Sequence, residues 1–240
     1  MVASYSPTPV VSRSLATLVS EFEAAAYRVV VVRASESSEP LIWPDGFDGA
    51  PHVVIKPNIG YDFGSWATGM KLFPHLLSAR FVILANDSMI GPFASLAPMV
   101  ENFENSGVDV WGATNTTQFI PHLQSYMLGF SNGILQDSPL QHFWTRLRRA
   151  RDKQQIIELY EMGFSRLLYA EGYVTGAWFD YERVVEPGQN PAITGWKKLI
   201  DLGFPFVKRE LVTNPAIVTD GYRVPDAVSA RFGVDPRTWL

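Results

Sequence analysis

Val53-Val54-Ile55-Lys56-Pro57-Asn58-Ile59-Gly60-Tyr61-Asp62-Phe63-Gly64 and then Phe81-Val82-Ile83-Leu84-Ala85-Asn86-Asp87-Ser88 are the two runs on which the fold turns. Each opens with a short apolar stretch rich in β-branched residues and closes on polar residues and turn formers. A segment of helical length, from about Ser65 to Leu77, separates them. Continuous apolar runs of this size suit strands covered on both faces, as in a parallel sheet. The same alternation extends outward. Val29 to Val32 are four consecutive valines, and Val2 to Tyr5 reads as a first strand. Between them Leu15, Leu18, Val19 and Phe22 follow the spacing of an amphipathic helix. Ser35 to Ala50 is a loop by composition. Pro92 suits the first turn of a following helix, and Val108 to Trp111 reads as a further strand.

The second half is less regular. Helices are expected from Ser138-Pro139, from Asp152 to about Tyr160, and from a cap at Ser165 to Gly172. Strand is expected over Tyr173 to Phe179 and Phe206 to Val212, with a helix at Trp196, Leu199 and Ile200 closed by Gly203, and a short C-terminal helix. The expected fold class is α/β, a Rossmann-type, mostly parallel sheet flanked by helices. With 240 residues, 47% apolar and 18% charged, one domain over 1–240 is expected. Strict alternation in the first 110 residues and looser order afterwards suit a nucleotide-binding half at about 1–112 and an acceptor-binding half at about 113–240.

A net charge of −4 supplies no general basic field, which argues against nucleic acid as a partner. Arg146, Arg148, Arg149, Arg151 and Lys153 form a local basic cluster, either a solvated helix face or a site for phosphate or lipid head groups. The absence of cysteine excludes disulfides, thiolate metal sites and cysteine nucleophiles. No apolar run approaches the roughly 18 residues that span a bilayer. The chain is expected in the cytoplasm, with at most peripheral contact at the inner face of the membrane.

Ligands of open parallel sheets bind beyond the carboxyl ends of the strands, and two polar clusters lie at such ends. In the first, Gly60 and Gly64 permit close backbone approach, while Asn58 and Asp62 can hydrogen-bond ribose or sugar hydroxyls. A glycine-rich turn with capping side chains would look the same. The second cluster is Asn86-Asp87-Ser88. Asp87 at a strand end can hold a divalent cation, Mg²⁺ or Mn²⁺, against a diphosphate, or can cap an Asx-type turn. Neither cluster is a Walker loop or a dinucleotide fingerprint.

Strand, Asn-x-Gly loop, helix, apolar strand and short acidic triplet is also the order found in GT-A glycosyltransferases, whose triplet is usually Asp-x-Asp. Here Asn86 and Ser88 flank a single acid. The chain resembles the rhamnan synthesis F-like family of bacterial O-antigen and wall polysaccharide clusters. The resemblance lies in Asn58 to Trp66, in Asn86-Asp87-Ser88-Met89-Ile90-Gly91-Pro92, and in Trp111-Gly112 followed by His122-Leu123-Gln124-Ser125-Tyr126. It continues in Tyr160-Glu161-Met162-Gly163 and in Gly203 to Glu210. It implies a GT-A-like fold and transfer of a sugar, often rhamnose, from a nucleotide-sugar donor to a glycan or lipid-linked glycan, with the chain as one module of a larger protein.

Within that frame, Asn58, Gly60, Asp62, Asn86 and Ser88 are the expected donor-binding residues, with Asp87 at the diphosphate. His122, Gln124 and Tyr126 share a side if their segment is extended, and are the candidates for sugar or acceptor contact; His122 could instead ligate a metal or be a structural histidine held by the backbone. An inverting transferase needs a carboxylate to take the acceptor proton. Glu161, beside Gly163 at an expected break in the helix, is preferred over Glu158, either of which could instead be a solvated helix carboxylate. Lys208 or Arg209 could close on the diphosphate. The rival class is a non-catalytic nucleotide- or glycan-binding module, which the lone acid favours; a nucleotide-sugar hydrolase is a third.

Overall fold

The computed structural model describes the backbone of residues 1–240 and every side chain except that of Lys153. In chain order the first elements are Val2–Tyr5 (β1), Arg13–Ala24 (α1), Val30–Ala34 (β2), His52–Lys56 (β3), Tyr61–Leu72 (α2), Phe81–Asn86 (β4), Met89–Ile90 (β5) and Ala97–Glu104 (α3). They continue with Val110–Thr116 (β6), His122–Leu123 (β7), Met127–Ser131 (β8), Ser138–Thr145 (α4), Lys153–Ile156 (α5), Met162–Ala170 (α6) and Thr175–Phe179 (β9). Trp196–Asp201 (α7), Val207–Lys208 (β10), Arg209–Thr213 (α8) and Val224–Phe232 (α9) complete the chain.

The main sheet runs β3-β2-β1-β4-β8-β6, and β6 also pairs with β7 and with β9. The pairs β1–β2, β2–β3, β1–β4 and β6–β9 are parallel. β8 is antiparallel to both β4 and β6, and β7 is antiparallel to β6. All strands of this sheet except β7 and β8 therefore point one way, and the expected α/β class holds; β5 and β10 form a separate antiparallel pair. Helices cover both faces. Ile83 and Ala85 of β4 pack with Leu15, Val19 and Phe22 of α1 and with Met99 and Phe103 of α3. Val82 and Leu84, on the alternate positions, pack with Phe63 and Trp66 of α2, Trp144 of α4 and Phe164 of α6. That double cover is the physical reason for the unbroken apolar runs. A third cluster joins Ile90 and Phe93 to α7, α8 and α9.

Several expectations are corrected. Helix α2 begins at Tyr61 rather than Ser65 and stops at Leu72, with a 3₁₀ turn over Pro74–Ser78. Pro92 precedes α3 instead of opening it; Pro98 occupies its first turn. The chain does not break at Gly163, because a π turn over Ile157–Glu161 carries α5 directly into α6. Ser165 is accordingly inside a helix and caps nothing; its hydroxyl accepts from the Leu123 N–H at 3.2 Å. The Phe206 to Val212 strand shrinks to β10, since its partner β5 is only Met89–Ile90, and α8 follows.

Strand β8 was not foreseen. It is buried throughout and contains Gly129, where a Cβ would lie 2.5 Å from the Phe103 ring. The glycine that weakens the strand signal is the one that admits Phe103 to the sheet face. β8 comes from the later part of the chain yet lies between β4 and β6, so strands on both sides of residue 112 share one sheet.

The end of β4 is anchored from below. Trp66 is fully buried, and its indole N–H donates to the Ala85 carbonyl at 3.0 Å. Trp66→Ala is expected to lower unfolding free energy by about 3–5 kcal/mol, the usual cost of removing a buried aromatic. Urea denaturation measures it, and a loss under about 1 kcal/mol would contradict this packing.

Candidate functional site

The glycine loop is shaped first by its own geometry. Gly60 has φ +83° and precedes α2, and a Cβ there would lie 3.0 Å from Gly64 Cα. A Cβ on Gly64 would lie 2.6 Å from the Ile59 carbonyl oxygen. Both glycines thus serve a tight entry into the helix. That entry puts Asp62 in the first turn of α2, where the helix dipole favours a negative charge. Asn86 Nδ2 donates to Asp62 Oδ2 at 2.7 Å, so the two polar clusters read from the sequence meet. Asn58 is exposed and lines neither of the cavities described next.

The triplet divides. Asn86 Oδ1 accepts from the Ser88 N–H at 3.1 Å and from its hydroxyl at 2.6 Å, which is an Asx turn built on Asn86 rather than on Asp87. Asp87 turns the other way: its Oδ2 accepts from Ser4 Oγ at 2.6 Å and from the Tyr5 N–H at 3.0 Å. Two cavities flank the turn. One, of about 240 Å³, is lined by Asp62, Asn86, Gln124, Tyr126 and Glu161 among others. The other, of about 460 Å³, contains Tyr5, Arg13, Arg33, Asp87 and Arg209. Ser88 borders both.

The wall of the smaller cavity is a connected polar network. Thr114 Oγ1 donates to Gln124 Oε1 at 2.7 Å, and Gln124 Nε2 donates to Asn190 Oδ1 at 3.0 Å. Thr114 has one hydroxyl proton, so the 2.6 Å contact with Tyr126 is a donation from the phenol, whose burial raises its pKa. Glu161 Oε2 accepts from the Ser125 N–H at 2.8 Å and also from the Ser125 hydroxyl. Its Oε1 lies 3.4 Å from His122 Nε2, and His122 Nδ1 faces the Ile120 carbonyl at 2.8 Å. Both ring nitrogens therefore meet acceptors, which suits an imidazolium.

Burial disfavours the charged form of each partner, but their hydrogen bonds and mutual attraction outweigh it. His122 titrates above its ordinary value and Glu161 below its own. Glu158 instead points to solvent and accepts from Gln154 at 2.9 Å. Lys208 Nζ stands 5.4 Å from the Tyr126 ring centroid and lines the smaller cavity. Arg209 Nε donates to the Asp87 carbonyl at 3.1 Å, at the larger one.

Arg146, Arg148, Arg149 and Arg151 are exposed; the side chain of Lys153 lies outside the described residues. The donor set around Asp87 does not fit a divalent cation. One oxygen of Asp87, the only side-chain carboxylate among the described residues lining that cavity, is bonded to Ser4 and Tyr5, its neighbours Arg13, Arg33 and Arg209 are cationic, and among the described residues no three His, Cys, Asp or Glu cluster. Arg13, Arg33, Ser125 and Asn190 were missed from sequence. Arg33 had a legible signal, a charge directly after four valines of a buried strand.

The family model for rhamnan synthesis protein F matches residues 47–230, most of the chain, with the Asn86-Asp87-Ser88 turn and the lining of the smaller cavity inside it and Ser4, Tyr5, Arg13 and Arg33 of the larger cavity before it. The chain belongs to the rhamnan synthesis protein F family. Among curated relatives of this family member, the virulence protein VirA of Vibrio anguillarum is 26% identical, over 73% of this chain and 67% of VirA. Protein y4gN of Sinorhizobium fredii is 24% identical over 62% of this chain and 41% of its own length. A crystal structure from Desulfovibrio desulfuricans G20, described as a nucleotide-diphospho-sugar transferase, is 11% identical with a TM-score of 0.39, covering 75% of this chain and 79% of that one. Among the described residues no helix is long and apolar enough to cross a membrane.

The His122–Glu161 pair gives this family member a defined pH response. The lowered Glu161 stabilises above the ordinary 4.5 and loses that contribution as pH falls through its folded value. The raised His122 stabilises fully below 6.5 and loses its share as pH rises through its folded value. Urea midpoints should therefore decline from pH 6 towards pH 9, and His122→Gln should flatten the decline. Equal slopes in the two proteins would refute the pairing.

Proposed function

We propose that this chain is a glycosyltransferase domain of GT-A type, moving a sugar from a nucleotide-sugar donor onto a growing bacterial surface polysaccharide. The observation that carries the reading is the Asn86-Asp87-Ser88 turn at the carboxyl end of β4, with a cavity on each side. Family membership supports it, and the family's part in rhamnan synthesis is the reason for proposing rhamnose as the sugar. In this reading residues 1–240 act as one domain, with the donor held chiefly by the first half and the acceptor by the second. The nucleoside diphosphate occupies the larger cavity at Asp87. The sugar reaches past Ser88 towards Asn86 and Asp62, and Gln124, Tyr126 and His122 form or brace the wall that meets the acceptor.

The reaction is an in-line displacement that inverts the anomeric centre. The acceptor hydroxyl oxygen forms a bond to the anomeric carbon, and the bond to the diphosphate oxygen breaks with its electron pair on the leaving nucleoside diphosphate. The hydroxyl proton passes to Glu161, which is held ionised at neutral pH and lines the smaller cavity. No step runs through a divalent cation, because the residues around Asp87 do not fit one.

One observation favours a second reading. The Glu161 carboxylate is already bonded to Ser125 and paired with His122, the arrangement of a group that shapes a binding wall. A non-catalytic module binding a nucleotide or glycan would need no more than that.

Release of nucleoside diphosphate from a panel of sugar donors, with and without polyrhamnose acceptors, separates the two. Glu161→Gln is expected to lower turnover by roughly 10²–10⁴-fold with donor affinity little changed. Glu158→Gln, on the exposed face, should be near normal. Wild-type protein that binds donor but never turns it over would make the binding module the correct account. Normal turnover in Glu161→Gln would remove the base from this residue.

A further inference from the structure

Asp87 poses a problem of charge. A nucleoside diphosphate is an anion, and a carboxylate beside it repels it unless positive charge intervenes. The larger cavity supplies that charge from the chain itself. Arg33 ends the valine run of β2 and is only 2% exposed, and its Nε has no hydrogen-bond partner. A buried cationic donor left unsatisfied costs stability, and is tolerated where a ligand completes it. Arg13 is steadied by Trp239, its guanidinium carbon 4.5 Å from the ring centroid. Arg209 is fixed by its bond to the Asp87 carbonyl. The N-terminus of the twelve-residue helix α1, capped by Ser12, opens on the same space.

We propose that this cavity is a metal-independent cradle for the diphosphate of a nucleotide, its negative charge met by Arg13, Arg33 and Arg209. The proposal rests on the transferase reading above. Guanidinium forks match phosphate oxygens in pairs, so three of them can replace a bridging cation. Asp87 then does not touch the ligand. It positions the cradle, holding Ser4 and Tyr5 of β1 and offsetting the charge of buried Arg33.

Calorimetric titration with UDP, GDP, ADP, dTDP and inorganic pyrophosphate, in excess chelator and again with Mg²⁺, is the test. At least one nucleoside diphosphate should bind in chelator, with Mg²⁺ adding little. Arg33→Met should weaken it roughly 10- to 100-fold, the weight of a charge-assisted hydrogen bond. Its melting temperature should stay level or rise, which a merely structural arginine would not allow. Arg209→Gln should weaken binding similarly, and decides the matter if Arg33→Met fails to fold. Asp87→Asn keeps an oxygen for Ser4 and Tyr5 and removes a negative charge from beside the ligand, so nucleotide binding in chelator should survive it.

Binding that requires Mg²⁺, or that vanishes in Asp87→Asn while surviving in Arg33→Met, overturns the cradle. Pyrophosphate binding as tightly as every nucleotide would make this a free-phosphate site and also overturn it. Metal-dependent release of nucleoside diphosphate from a sugar donor would discard the cradle but keep the transferase. Tight binding in chelator without turnover would keep the cradle and discard the transferase.

Discussion

The site depends on how the end of β4 is held. Trp66 takes the Ala85 carbonyl from one face of the sheet, and Asn86 reaches across to Asp62 at the start of α2. Both partners of β4 at this point come from α2, whose entry is set by Gly60 and Gly64. A glycine pair that looks like a ligand loop is thus a constraint on a strand end. Once that end is fixed, the Asx turn of Asn86 fixes the opposite heading of Asp87, and the two cavities follow from the divergence.

Much of this could be read in advance because it rests on local pattern. The apolar runs at 29–32 and 81–85 are continuous because helices bury both faces of the sheet, so their class and order were legible. Asp62, Asn86, Ser88, Gln124, Tyr126 and Glu161 could be chosen because polar residues at strand ends and around a helix turn stand out against an apolar background. Their convergence on one cavity has a different origin. It comes from the antiparallel insertion of β8, whose signal was masked by Gly129 and the room it leaves for Phe103.

What sequence could not supply was long-range pairing. Nothing local says that Ser4 and Tyr5 will receive Asp87, or that Ser125 will be held by Glu161. Nor does spacing foretell a π turn, which keeps the helix continuous through Gly163 while bringing Glu161, and not Glu158, to the cavity. The metal expectation came from the strand-end acid and its likeness to an acidic triplet. Arg33 sits far from Asp87 in sequence, and its charge enters the account only once β1 and β2 are side by side.

The two-residue strand β10 has a consequence for how variation at this site would be felt. Lys208 serves the smaller cavity and the next residue, Arg209, the larger, while the Arg209 N–H is tied to the Ser88 carbonyl at 2.9 Å. Lys208 ends the strand and Arg209 opens α8, so a slip of one residue moves each side chain out of its own cavity. A single deletion between Phe204 and Lys208 would leave composition and net charge nearly untouched while carrying the guanidinium away from the larger cavity. The loop ahead of β10 is therefore a ruler, its length held by the buried Phe204 and Phe206 rings that it carries.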